Sequence, residues 1–111
     1  MTTVTTHVLD TALGQPAAGV AVRLERVSDA GQEEIGHAST DADGRIRDIG
    51  PERLPPGVYR LVFGTAAYFA QQRTAAFFPE VAVTFTVAGE VPHYHVPLLL
   101  SPFGYTTYRG S

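Results

Sequence analysis

Hydrophobic and polar positions alternate along this chain in short runs separated by turn residues. The clearest run is Val20-Ala-Val-Arg-Leu-Glu-Arg-Val27, with Val20, Val22 and Leu24 on one side. A period of two marks a strand, because successive side chains point to opposite faces. Val58 to Phe63 repeats the pattern, with Tyr59, Leu61 and Phe63 sharing a face, and Val81 to Val87 is a β-branched run. Val4 to Leu9 alternates weakly and Glu33 to Ser39 is more polar. Arg45 to Ile49, His93 to Leu100 and Tyr105 to Arg109 complete the set. The punctuation is Leu13 to Gly19, Asp41-Ala-Asp-Gly44 and Pro55-Pro-Gly57, all rich in turn formers. Eight short strands at this spacing predict an all-β, antiparallel sandwich. Thr65 to Arg73 breaks the rule. It is rich in helix formers, has Thr65 as a candidate N-cap, and predicts one short helix that Pro79 closes off. Pro97 lacks the donor a ladder needs, so an edge or a bulge is expected there.

At 111 residues, the sequence predicts one domain, 1–111. A net charge of −3 gives no basic surface to attract nucleic acid or an anionic membrane. There is no Cys, and all eight basic residues are Arg. Thiolate nucleophiles, cysteine metal sites and lysine Schiff bases are therefore excluded. No apolar run is long enough to span a bilayer, and the opening MTTVTTHVLD lacks a leader pattern, so a cytoplasmic location is expected. Only Arg73, Glu80, Glu90 and Arg109 are charged after residue 60. A surface so poor in charge predicts subunit contacts, with Leu98 to Leu100, Phe103, Tyr105 and Tyr108 as the contact surface.

Candidate chemistry centres on histidine. His7 lies mid-strand, and His93 and His95 are two apart, so they share a face of another strand. One reading is a three-histidine zinc site of the hydrolytic kind. A second is metal-free acid–base work, and a third is ordinary strand histidines. His37 lies in a polar strand and reads as surface. Arg45 follows the Asp43-Gly44 turn, either as a solvated arginine or as an anion clamp. No G-x-S-x-G elbow, Gly-rich phosphate loop or carboxylate pair is present for serine, phosphoryl or glycosidase chemistry.

Longer motifs add what spacing does not carry. His7-Val-Leu-Asp10 with Gly14-Gln-Pro-Ala-Ala-Gly-Val20, and Thr40-Asp-Ala-Asp-Gly-Arg45, resemble the transthyretin-like family. Tyr94-His-Val-Pro-Leu-Leu-Leu-Ser-Pro102 running into Tyr108-Arg-Gly-Ser111 is similar to its purine-degrading branch, which hydrolyses 5-hydroxyisourate. The resemblance covers roughly residues 5–111.

The resemblance implies an eight-stranded sandwich with one short helix. It also implies a homotetramer, a dimer of dimers with sites at the dimer–dimer interface. The family's functional residues fall on His7, Arg45, His95, Tyr108, Arg109, Gly110 and Ser111, with His93 outside them. The implied reaction opens the N1–C6 lactam bond of the substrate without metal or organic cofactor. In it His7 and His95 would handle water and protons, Arg45 would hold negative charge, and Tyr108 to Ser111 would shape the site. The alternative is a non-catalytic carrier of the transthyretin type. The hormone-carrying branch has lysine at His7, glutamate at Arg45 and threonine at His95 and Tyr108, so this chain resembles the hydrolytic branch at all four.

Overall fold

The alternation becomes two facing sheets in a computed structural model that describes residues 2–111. The strands are β1 (Val4–Asp10), β2 (Gln15–Pro16), β3 (Ala21–Ser28), β4 (Gly31–Ser39) and β5 (Arg45–Ile46). After them come β6 (Gly57–Phe63), helix α1 (Thr65–Gln71), β7 (Val81–Val87), β8 (Tyr94–Ser101) and β9 (Gly104–Thr107). One sheet runs β4-β3-β6-β7; the other runs β2-β1-β8-β9, with β5 also pairing β1. Val22, Leu24, Tyr59, Leu61 and Phe63 from the first sheet meet Val4, Val8, Val96, Leu98 and Leu100 from the second in one buried core. The period-two stripes therefore do what they predict: each sheet hides one face against the other. No helix among the described residues is long and apolar enough to cross a membrane.

One pairing positions the site. β1 and β8 run parallel, with Val4 opposite Tyr94, Thr5 opposite His95 and His7 opposite Pro97. The other strand pairs are antiparallel. Strands from opposite ends of the chain thus become neighbours, a juxtaposition that local alternation does not encode. In β1 the inner positions are Val4, Thr6, Val8 and Asp10, all buried. Thr5, His7 and Leu9 consequently face outward, as do His95, Pro97 and Leu99 of β8.

Three expectations are corrected. Thr65 opens α1 but does not cap it: Gly64 occupies the N-cap without a side-chain bond, and the Thr65 hydroxyl donates to the Phe78 carbonyl at 3.0 Å. Pro97 lies in a central strand, not at an edge or bulge. The β8–β9 ladder stops at Leu98 opposite Thr107 and resumes as a single bridge of His95 with Gly110. Both pairs share one register, so the missing proline donor falls in the gap between them. Of the expected contact leucines, Leu98 and Leu100 are core residues and only Leu99 faces out. Phe103, Tyr105 and Tyr108 are exposed.

The helix is anchored from inside. The buried Asp10 carboxylate accepts from the backbone N–H groups of Ala12 and Leu13, both at 3.0 Å. It also accepts from the Tyr68 hydroxyl of α1 at 2.7 Å. Burial first, and this bond second, push the Tyr68 phenol up to about 12. One carboxylate therefore closes the turn after β1 and holds the helix to the sheet.

Candidate active site

The site is built on the outward face of β1, β5 and β8. Arg45 is placed by the turn before it. Asp41 Oδ1 accepts from the N–H groups of Asp43 at 2.8 Å and Arg45 at 3.0 Å. These bonds, Arg45's foremost, hold the exposed Asp41 carboxyl below the usual carboxylate range. Gly44 is obligatory in this turn: its φ is +76°, and a Cβ there would lie 2.3 Å from the Val8 carbonyl oxygen. The turn delivers Arg45 directly opposite His7. Arg47 pairs with Asp41 Oδ2 at 3.3 Å, whereas the Arg45 guanidinium makes no ion pair among the described residues.

His7 is oriented by the same turn. Its Nε2–H donates to the Asp43 carbonyl at 2.9 Å. A carbonyl only accepts, so the neutral ring carries its proton on Nε2 and leaves the Nδ1 lone pair free. His95 sits diagonally across the β1–β8 pair. Its Nδ1 lies 2.8 Å from Thr5 Oγ1. Burial first, then the positive potential of His93, Arg45 and His7, lowers its pKa below the ordinary imidazole value. A neutral imidazole beside an unpaired guanidinium is a proton acceptor beside an anion clamp.

The chain terminus closes the arrangement. Gly110 N–H donates to the His95 carbonyl at 2.8 Å. A Cβ on Gly110 would lie 2.6 Å from His95 Cδ2 and 3.2 Å from Pro97 Cγ. Only glycine lets the terminus lie this close to the imidazole. A hollow of about 170 Å³ results, lined by Thr5, Arg45, His93, His95 and Ser111 among others. Tyr108 and Arg109 line a second hollow of about 280 Å³, reaching to β7, on which His95 also borders. The Arg109 guanidinium lies 5.1 Å from the centre of the Tyr94 ring, a cation–π distance.

The structure thus gathers His7, Arg45, His95, Gly110 and Ser111 around one outward patch, with Tyr108 and Arg109 on its flank. His37 is remote, on β4 beside Glu34. His93, placed outside the site by the resemblance, lines the hollow: its Nε2 is 2.7 Å from the same Thr5 hydroxyl. The two-residue spacing of His93 and His95 was the available signal; Thr5 carried none. The zinc reading needs converging imidazoles. Here Thr5 lies between two of them, His7 points Nε2 at Asp43, and no described group of three or more ligating side chains is spaced for a metal.

Comparison with known proteins gives a consistent picture. The model of the HIUase/Transthyretin family matches residues 4–110. A 5-hydroxyisourate hydrolase of Salmonella dublin is 48% identical over 106 residues, spanning 95% of this chain and 78% of the relative. The structure of Klebsiella pneumoniae 5-hydroxyisourate hydrolase superposes with a TM-score of 0.87 at 38% identity, covering 99% of this chain and 100% of that one. Transthyretin from Sparus aurata superposes with a TM-score of 0.91 at 35% identity, covering 99% and 97%. A hydrolase and a transthyretin share this backbone, so side chains must separate the two activities.

Proposed function

The chain belongs to the HIUase/Transthyretin family, and from that premise we propose that it hydrolyses 5-hydroxyisourate at the outward patch of His7, Arg45 and His95. The observation that carries this reading is an unpaired guanidinium set opposite His7 and acting on His95, whose pKa burial and neighbouring positive charge lower below the ordinary imidazole value. A carrier has no use for a proton acceptor beside an anion clamp.

The reaction follows from these groups. A water attacks C6 of the lactam, and a neutral imidazole, His95 or His7, takes its proton. Negative charge builds on the C6 oxygen, where the Arg45 guanidinium offers fixed donors. The C6–N1 bond then breaks, N1 takes the proton back from the imidazolium, and C6 is retained as a carboxylic acid that loses its own proton to solvent, giving the carboxylate of 2-oxo-4-hydroxy-4-carboxy-5-ureidoimidazoline. Tyr108, Arg109, Gly110 and Ser111 bound the substrate's space. The reaction involves no oxidation or reduction, and the reading includes no organic cofactor or metal.

The proposal includes a homotetramer with sites at the dimer–dimer interface. The patch lies on an open sheet face with the exposed Tyr108 on its flank, and Leu13, Phe103 and Tyr105 are further exposed large apolar side chains. Such side chains favour burial between subunits. Light scattering measures the mass, and cell fractionation checks the cytoplasmic location that belongs to the same reading. The activity is tested by generating 5-hydroxyisourate with urate oxidase and following its absorbance. Loss faster than the spontaneous rate supports the proposal; an unchanged rate at ample protein concentration overturns it.

A further inference from the structure

Thr5 is a buried residue, 5% exposed, and its hydroxyl stands between two imidazoles. His93 Nε2 is 2.7 Å away and His95 Nδ1 is 2.8 Å away. The two rings lie nearly parallel, 6.3 Å apart and inclined by 24°. A hydroxyl has one proton, and no other partner for Thr5 Oγ1 exists among the described residues. It can donate to only one of these nitrogens and must accept from the other. One ring must therefore donate to Thr5 and the other accept from it, which couples the two tautomers.

We propose that Thr5 and His93 are positioning residues that hold His95 as its Nδ1–H tautomer, leaving the Nε2 lone pair bare for the reaction. The chain of donation runs from His95 Nδ1–H to Thr5 Oγ1, and from Thr5 O–H to His93 Nε2. When His95 takes a proton on Nε2, its Nδ1–H bond to Thr5 becomes charge-assisted and strengthens. The arrangement works as a carboxylate behind a working histidine does, but with a neutral hydroxyl–imidazole pair. Protonating His93 reverses it. His93 Nε2–H must then donate to Thr5, Thr5 must donate to His95 Nδ1, and His95 carries its proton on Nε2, where it no longer accepts. The inference rests on the reading of His95 as a proton acceptor, but the tautomer itself is independent of activity. The other charged or titratable groups facing the pair are His7 on β1, Arg45 on β5 and Arg47 just after it, with Ser111 also lining the hollow.

The test uses the full-length protein with 15N-labelled histidine. Long-range 15N–1H spectra at neutral pH should show His95 as the Nδ1–H form and His93 with its proton also on Nδ1. Thr5→Val should release the His95 tautomer and lower kcat about 10–100-fold, the scale for losing an orienting partner of a working imidazole, with KM within roughly twofold. His93→Phe keeps a stacking ring and should act in the same direction. Thr5→Ser should restore both readouts. A wild-type His95 found as the Nε2–H form overturns the proposal, as does unchanged kcat in folded Thr5→Val. Failure of the wild type to hydrolyse 5-hydroxyisourate would instead overturn the proposed function, while the spectra would still decide the tautomer.

Discussion

Replacing Gly110 with alanine puts one methyl group against the ring on which the mechanism depends. The new Cβ would stand 2.6 Å from His95 Cδ2, 3.3 Å from His95 Cγ and 3.2 Å from Pro97 Cγ. Carbon atoms rest at about 3.5–4.0 Å, so ring and terminus must separate by roughly 1 Å. Pro97 blocks one escape and is itself buried. Either His95 rotates away from Thr5, or the terminus lifts and takes Ser111 with it. A misplacement of about 1 Å can cost on the order of 10²-fold in rate, so Gly110→Ala should lower kcat about a hundredfold. The folding cost is bounded by the one backbone bond at risk, Gly110 N–H to the His95 carbonyl, about 1 kcal/mol. The assay is initial rate on freshly generated substrate, with thermal unfolding as control. Activity within twofold of wild type would refute the claim that the terminus packs on the imidazole in the working enzyme.

Other perturbations test other parts. His7→Asn and His95→Asn should each lower the rate roughly 10²–10⁴-fold, the range for a positioned proton transfer, with circular dichroism unchanged; normal turnover in either removes that histidine from the chemistry. Arg45→Glu should abolish hydrolysis without changing the mass seen by light scattering, because a carboxylate repels the charge the guanidinium attracts. His95 has a folded pKa below its ordinary value, by burial first and then by neighbouring positive charge. Its stabilising contribution is therefore intact above about pH 6.5 and is lost as pH falls through the lowered folded value. The acid limb of the rate profile should have its midpoint below that pH, and a midpoint above it would contradict the electrostatics. Tyr68→Phe removes a buried 2.7 Å bond to Asp10 and should destabilise the protein by about 1–3 kcal/mol in denaturant titrations at fixed concentration, with little change in kcat.

The sandwich was legible where burial imposes a period of two. β3, β6 and β7 were readable because one face of each must be apolar. β2 and β5, of two residues each, are too short for any period. Thr65 misled because a threonine at a helix start has more than one carbonyl or N–H within reach, and the Phe78 carbonyl won. Pro97 misled because the cost of a missing donor depends on what lies opposite, and here the ladder is already open at Tyr108 and Arg109. The site was legible only as residue types. The parallel β1–β8 pairing that brings Thr5 to His95 joins positions 90 residues apart, and no local pattern records it. Gly110 likewise looks like any terminal glycine until a neighbouring ring is placed against it.

The central claim is that this patch delivers water to C6 and opens the lactam. The most direct measurement follows 13C-labelled urate, oxidised in place by urate oxidase, by NMR at C6, with wild-type protein and with His95→Asn. The account predicts that the C6 amide signal converts to a carboxylate signal far faster than without protein, and that His95→Asn brings the conversion back toward the spontaneous rate. A C6 signal that decays at the spontaneous rate with wild-type protein, or equally fast with both proteins, would contradict it.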